Sequence, residues 1–145
     1  MNVVHLARRF VTSLSRREPP SVDTAWALAQ LLPGEAELWQ GMAVQDRRHS
    51  LLVARRFVAL DGTVTRDQIA GALLHDVGKL ASGLGTFSRV VATIVGPRTD
   101  RFRRYHDHEE LGAEMAQAAG SSAETVELVR GRGPAASKLA IADHV

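Results

Sequence analysis

Apolar residues recur at helical spacing along nearly the whole chain, and no segment shows the alternating pattern of a β-strand. A basic amphipathic helix is predicted over residues 1–20, and it ends where Pro19 and Pro20 exclude helical geometry. Further helical segments follow, separated by turn residues such as Asp61 and Gly62. This spacing predicts an all-α protein, folded as a compact single-domain bundle of about seven or eight helices over residues 1–145.

The helices predicted after residue 20 have recognisable start signals. Ser21 is the expected N-cap of a helix through Leu32, and Pro33 suits the first turn of the next helix. Asp46 is expected to cap a third helix, which runs to about Leu60. The inner face of this third helix is expected to comprise Leu51, Leu52, Ala54, Phe57 and Val58.

Two capping-box spacings predict helices in the second half of the chain. One pairs Thr65 with Gln68, and the other pairs Ser121 with Glu124. Gly78 lies where the first of these helices is expected to end. The remaining helices are predicted over about 86–95, about 101–119 and a short segment at the end of the sequence.

Composition excludes several classes of function. The chain contains no cysteine, which excludes disulfide scaffolds, thiolate zinc sites and cysteine nucleophiles. Its net charge is only +2 with histidine neutral, so no DNA partner is expected. No apolar stretch approaches the ~20 residues of a membrane span, and the first residues lack the uncharged core of a signal peptide. We therefore expect a cytoplasmic protein.

The segment Leu73–Lys79 contains the strongest chemical signal. An apolar helix that ends in adjacent His75 and Asp76 buries an imidazole and a carboxylate, and both need partners. A divalent cation satisfies both, because these groups are good ligands for Mn, Fe, Co or Zn. Gly78 permits a sharp turn at this point, and Lys79 adds a positive charge beside it.

These residues, with two more distant positions, resemble the HD superfamily of metal-dependent phosphohydrolases. The doublet His75-Asp76 stands in the sequence His-Asp-Val-Gly-Lys, which is common in that superfamily. The lead histidine of the pattern corresponds to His49, and the distal aspartate to Asp143 in Ala-Ile-Ala-Asp. The resemblance places the motif-bearing part at about 46–145 and implies a helical bundle of the HD type.

The resemblance also implies the activity and the residues that carry it. Binding of one divalent metal ion per chain (Mn, Fe, Co, Zn or Mg) is implied for His49, His75, Asp76 and Asp143. Asp76 is the implied catalytic residue, since it would contact both the metal and the attacking water, and Lys79 would bind a substrate phosphate. The implied substrate is a small phosphorylated molecule, with a nucleotide favoured. A homo-oligomer is compatible with the sequence.

Two features of the sequence leave an alternative open. His108 stands in a segment where many family members place another histidine, which predicts a second-metal or substrate-binding position. The next helix carries Arg130 where a His-His pair is expected, which favours one metal over two. Leu139 and Ile141 are expected to hold the short last helix that carries Asp143. The alternative is a degenerate, non-catalytic module that binds a metal or nucleotide and works through a partner.

Overall fold

The computed structural model describes residues 17–78 and 107–144. Seven α-helices lie in these two ranges, and no β-strand occurs in them, which confirms the predicted all-α class. The helices are α1 (Ser21–Ala29), α2 (Pro33–Gly41), α3 (Val44–Leu60), α4 (Arg66–Leu74), α5 (Asp107–Ala118), α6 (Ala123–Val129) and α7 (Ala136–His144).

Helix α4 lies at the centre of the described part of the chain. All of its residues from Ile69 to Leu74 are buried, and it packs against α2, α3 and α6. Helix α5 packs on α6, and α7 packs on α3. A helix segment that is apolar on every side is stable only when other helices cover it completely. The C-terminal end of α4 therefore lies inside the protein, and the residue that follows it begins at the edge of the core.

One continuous core joins the seven helices. Its largest fully buried side chains are Trp39 from α2, Phe57 from α3, Leu73 from α4, and Leu111 and Met115 from α5. Each such side chain contributes about 1.5–3 kcal/mol relative to an exposed position. The core therefore holds α5, which follows the undescribed segment 79–106, firmly against the helices of the first half.

A buried carboxylate links three parts of the bundle. Glu35 of α2 is fully buried, and its Oε1 accepts hydrogen bonds from the backbone N–H of Leu32 at 2.8 Å and from Arg66 at 3.2 Å. Its Oε2 accepts a hydrogen bond from the Ser121 hydroxyl at 2.6 Å. A buried charge is tolerated only when it is paired and hydrogen-bonded. These contacts tie α2 to the start of α4 and to the loop before α6.

The capping signal at Thr65 is confirmed. The Thr65 hydroxyl accepts the backbone N–H of Gln68, and the Gln68 side chain accepts the backbone N–H of Thr65, both at 3.1 Å. Pro33 is the first residue of α2, as predicted. Helix α1, however, ends at Ala29 and does not reach Leu32. The residue before a proline is driven to an extended conformation, so Leu32 becomes the N-cap of α2.

The prediction for the start of α3 is wrong. Ala43 is its N-cap and Val44 its first residue, so Asp46 lies in the first turn and does not cap the helix. The predicted inner face also needs correction, because Leu52 is 40% exposed whereas Val53 is fully buried. The buried positions of α3 are 50, 51, 53, 54 and 57, which recur at helical spacing, so the buried arc includes Val53 and leaves out Leu52.

The predicted capping box before α6 is displaced by one residue. Ser122 is the N-cap, and its hydroxyl accepts the backbone N–H of Thr125 at 3.2 Å. Ser121 instead donates its hydroxyl hydrogen to Glu35 across the bundle, which directs this side chain towards α2.

Several predicted elements lie outside the described residues. These are most of the helix over 1–20, the helix over about 86–95 and the first part of the helix over about 101–119. The last part of that helix is α5, which ends at Ala118 before Gly120 at a φ of 94°. Among the described helices, none combines the length and the apolar character that crossing a membrane requires.

We predict that Gly34→Ala lowers the melting temperature by several degrees. A Cβ at Gly34 would lie 2.2 Å from the carbonyl oxygen of Ala119, so the start of α2 and the end of α5 would have to separate. Overpacking of this kind costs about 1–3 kcal/mol of unfolding free energy. Gly62→Ala is the matched control, because nothing lies within 4 Å of its added Cβ. Equal melting temperatures for the two variants would contradict this close contact.

Candidate metal centre

Three potential ligands from separate parts of the chain meet at one point. His49 lies on α3, His75 directly follows α4, and Asp143 lies on α7. The Nε2 atom of His49 is 2.8 Å from Oδ1 of Asp143, and Nε2 of His75 is 3.5 Å from the same oxygen. One ligand atom from each residue lies within 4.8 Å of the other two. The structure therefore brings together three of the four residues predicted to bind a metal.

The end of α4 determines how His75 is presented. His75 is the C-cap of this helix, and its Nδ1 lies 2.6 Å from the carbonyl oxygen of Ala72. An Nδ1–H that donates to this carbonyl leaves the lone pair of Nε2 directed away from the helix, towards Asp143. Such an outer hydrogen bond is how metal-binding histidines are usually oriented.

The start of α3 is fixed around His49 by its neighbours. The Ser50 hydroxyl accepts a hydrogen bond from the indole N–H of buried Trp39 at 2.9 Å and donates to the carbonyl of Arg47 at 2.8 Å. Arg47 in turn donates to the carbonyl of Met42 at 3.2 Å. These contacts anchor the first turns of α3 to the end of α2, and so they hold the backbone of His49 in place.

Asp143 depends on the packing of α7 against α3. Leu139 and Ala142 are buried, and Lys138 forms an ion pair with Asp61, which follows the last residue of α3. Ile141 was expected to help hold this helix, but it is 53% exposed, so that expectation is wrong. The buried face of α7 consists of positions three residues apart, 139 and 142, and position 141 therefore points outward.

Two residues of this group, Asp143 and His75, have shifted pKa values. Burial alone would raise the pKa of Asp143, but the hydrogen bond from His49 and the proximity of His75 hold that pKa well below its usual range. Burial alone would lower the pKa of His75, but the carboxylates of Asp143 and Asp76 and the Ala72 carbonyl raise it above its ordinary value.

The donor set suits a divalent cation. The buried Nε2 of His75 makes no hydrogen bond within the described part of the chain, so a nitrogen that can ligate a metal is left without a hydrogen-bond partner. Ligands that share one ion at roughly 2.1 Å lie about 3.0–3.5 Å apart in tetrahedral or octahedral geometry. The separations of 2.8 and 3.5 Å are close to that spacing. His49, His75 and Asp143 therefore fit a divalent ion without a large rearrangement.

Asp76 stands beside this group. Its Oδ2 lies 3.3 Å from Nε2 of His75, and its side chain is 22% exposed. It opens, with His75 and Asp143, onto a cavity of about 270 Å³. The other lining residues are Glu109, Leu128, Val129, Gly131, Ala136, Leu139, Ala140 and His144. Asp76 is thus placed between the three-residue group and a space that a small molecule can enter.

Two further predicted site residues are not tested by this geometry. Lys79 lies outside the described residues. His108 is the second residue of α5, and its side chain lies outside the described part of the structure. His144 lines the same cavity as Asp143.

The position where a histidine pair is typical of the family is occupied by an ion-pair network. Arg130 donates to both carboxylate oxygens of Glu110, at 2.8 and 3.2 Å, and also pairs with Glu127. This arginine therefore links α5 to α6 and does not point a free guanidinium at a phosphate. Glu109, the residue before Glu110, lines the cavity described above.

Comparison with known proteins agrees with this arrangement. The chain matches the HD domain family over residues 47–141, and it belongs to that family. The match includes His49, His75 and Asp76 and ends shortly before Asp143. This family is one of metal-dependent phosphohydrolases, whose members typically bind divalent metal ions. No curated protein and no solved structure matches the chain.

We predict that Asp143→Asn weakens divalent metal binding by at least about tenfold, because it removes a charged ligand from the group. Metal at a hundredfold excess over Kd stabilises the wild-type fold by roughly 2.7 kcal/mol, and most of the corresponding rise in melting temperature disappears in the variant. Calorimetric titration with Mn, Co and Zn and thermal denaturation measure both effects. Glu37→Gln, an exposed change of the same charge on α2, is the control. An unchanged affinity in Asp143→Asn would remove Asp143 from the site.

We also predict a pH window for the metal-free protein. The raised pKa of His75 stabilises the fold below the ordinary histidine value of 6.5 and ceases to do so as the pH rises through the folded value. The lowered pKa of Asp143 stabilises the fold above 3.8 and ceases to do so as the pH falls. The difference in melting temperature between metal-free wild type and Asp143→Asn is therefore largest between about pH 4 and 6.5. A difference that stays constant from pH 3 to pH 9 contradicts this coupling.

Proposed function

We propose that this protein is a metal-dependent phosphohydrolase that acts on a small phosphorylated molecule, with a nucleotide as the favoured class. The observation that carries the proposal is the meeting of His49, His75 and Asp143 beside a cavity that His75 and Asp143 line, with the buried Nε2 of His75 unsatisfied in the described residues. Membership of the HD domain family supplies the reaction class.

The residues have distinct roles in this proposal. His49, His75 and Asp143, joined by Asp76, would hold one divalent ion; Mn, Fe, Co, Zn and Mg are the candidates. Such an ion supplies Lewis acidity, which lowers the pKa of water and neutralises charge on a phosphate oxygen. Asp76 accepts the proton of the attacking water, because it borders both the ligand group and the cavity. Lys79 would bind a phosphate oxygen.

The size and lining of the cavity support a small substrate. Its volume of about 270 Å³ lies at the lower end of typical small-molecule pockets. Leu128, Val129 and Leu139 are apolar lining residues, which suit the non-ionic part of an organic phosphate. His75, Asp76 and Asp143 line the same space, so a phosphate held at the metal-binding group would have apolar side chains within the same cavity.

A second candidate function rests on the Arg130 network. Because Arg130 is committed to Glu110 and Glu127, the segment that would supply further metal-binding histidines serves packing instead. This favours one metal ion over two and also suits a non-catalytic module that binds a metal or nucleotide for a partner. Measured turnover separates the two candidates.

We predict that Asp76→Asn reduces phosphate release by about a hundredfold or more, since it removes the proton acceptor. The assay supplies Mn, Co or Zn and a panel of nucleoside phosphates and simple phosphomonoesters. Circular dichroism verifies that the variant keeps its helical content, and Glu37→Gln provides the control for a lost surface charge. Turnover by Asp76→Asn at the wild-type rate would refute the role of Asp76. Absence of turnover in metal-loaded wild type would favour the binding module.

A further inference from the structure

Glu109 is a carboxylate of the cavity that the proposed reaction does not use. It lies on α5, and it lines the same space as His75, Asp76 and Asp143. Among the described residues it has neither a hydrogen bond nor an ion pair. The adjacent Glu110 differs, because Arg130 donates hydrogen bonds to both of its carboxylate oxygens. Two successive carboxylates of one helix thus have different surroundings, one neutralised and the other open to the cavity.

The backbone opposite Glu109 is shaped to accommodate it. Gly131 has a φ of 84°, and a Cβ added there would lie 2.8 Å from Oε2 of Glu109. Any other residue at this position would therefore be strained and would push the carboxylate out of its present place. The loop between α6 and α7 leaves room for this side chain at the cavity wall.

An unpaired carboxylate is unfavourable for a ligand that brings only negative charge. At a separation of a few ångströms, like charges repel by about 1 kcal/mol even in water and by more in a partly enclosed site. The carboxylate becomes favourable when the ligand also carries a group that donates a hydrogen bond. Hydrogen bonds to a charged acceptor contribute about 1.5–3 kcal/mol. Glu109 is thus suited to accept a hydrogen bond from the organic part of a phosphorylated molecule.

We propose that Glu109 is a substrate-specificity residue, which accepts a hydrogen bond from a hydroxyl or ammonium group that the substrate carries next to its phosphate. This inference rests on the proposed function, and it narrows the substrate class to phosphomonoesters with such a donor. Sugar hydroxyls of nucleotides and amino alcohol phosphates both belong to that class. Simple alkyl phosphates lie outside it.

Three phosphonates of similar size test the proposal without any turnover. Aminoethylphosphonate, hydroxyethylphosphonate and propylphosphonate differ only in the donor group, and calorimetry on the manganese-loaded protein measures their affinities. In wild type we expect at least one donor-bearing probe to bind about tenfold more tightly than propylphosphonate. The probe that shows the preference distinguishes an ammonium group from a hydroxyl group.

Glu109→Gln should reduce that preference by about tenfold, because the amide is a weaker acceptor without charge. Glu37→Gln, an exposed change on α2 that also removes one negative charge, should keep the wild-type ratio. Metal content is measured in each variant. Equal binding of all three probes to wild type, or an unchanged ratio in Glu109→Gln, overturns the proposal. Loss of manganese from Glu109→Gln also overturns it, because Glu109 would then be a metal ligand.

The corresponding phosphate esters separate this inference from the proposed function. If wild type binds the donor-bearing phosphonate preferentially but releases no phosphate from phosphoethanolamine or glycerol phosphate, the hydrolase proposal fails and the role of Glu109 stands. If wild type hydrolyses all the esters, propyl phosphate included, with equal kcat/KM, the hydrolase proposal stands and the role of Glu109 fails.

Discussion

The structure depends on the complete burial of the last six residues of α4 and on the histidine that follows them. Because every side chain from Ile69 to Leu74 lies in the core, the helix delivers His75 to a position where water cannot satisfy its Nε2. The Ala72 carbonyl takes the other ring nitrogen, so the imidazole cannot turn away. A buried imidazole nitrogen of this kind needs a cation, a proton or a hydrogen-bond partner. Asp143 of α7 and the adjacent Asp76 place carboxylate oxygens 3.5 and 3.3 Å from this nitrogen, an arrangement that a bound cation would suit.

The other two potential ligands, His49 and Asp143, are held in place by different kinds of contact. His49 is held by a turn of α3 that Trp39 and Ser50 anchor deep in the core. Asp143 is held by a short helix with two buried positions and one ion pair to Asp61. The first arrangement is rigid because it is packed, whereas the second relies on fewer contacts. Metal binding would therefore contribute most to the order of α7, since binding energy stabilises only the arrangement in which all ligands are in place.

The charged side chains near the cavity fall into two groups, those that pair with one another and one that has no partner among the described residues. Arg130, Glu110 and Glu127 neutralise one another and join α5 to α6. The carboxylate of Glu109 remains directed at the cavity, beside a glycine that leaves it space. In the region where the resemblance predicts further metal-binding histidines, this chain has ion pairs that join two helices. This difference supports the proposal of a single metal ion.

The sequence by itself determined the all-α class, the Thr65 capping box and the identity of the His75-Asp76 doublet, because these depend on local spacing and on residues close together in the chain. It also allowed His49 and Asp143 to be named, through the resemblance to the HD superfamily. Only the tertiary structure decided that Ser122 caps α6, since Glu35 engages Ser121 from another helix. It likewise decided that Ile141 and Leu52 are exposed and that Glu109 faces the cavity. Contacts of this kind join residues far apart in the chain, and helical periodicity carries no information about which neighbour will cover which face.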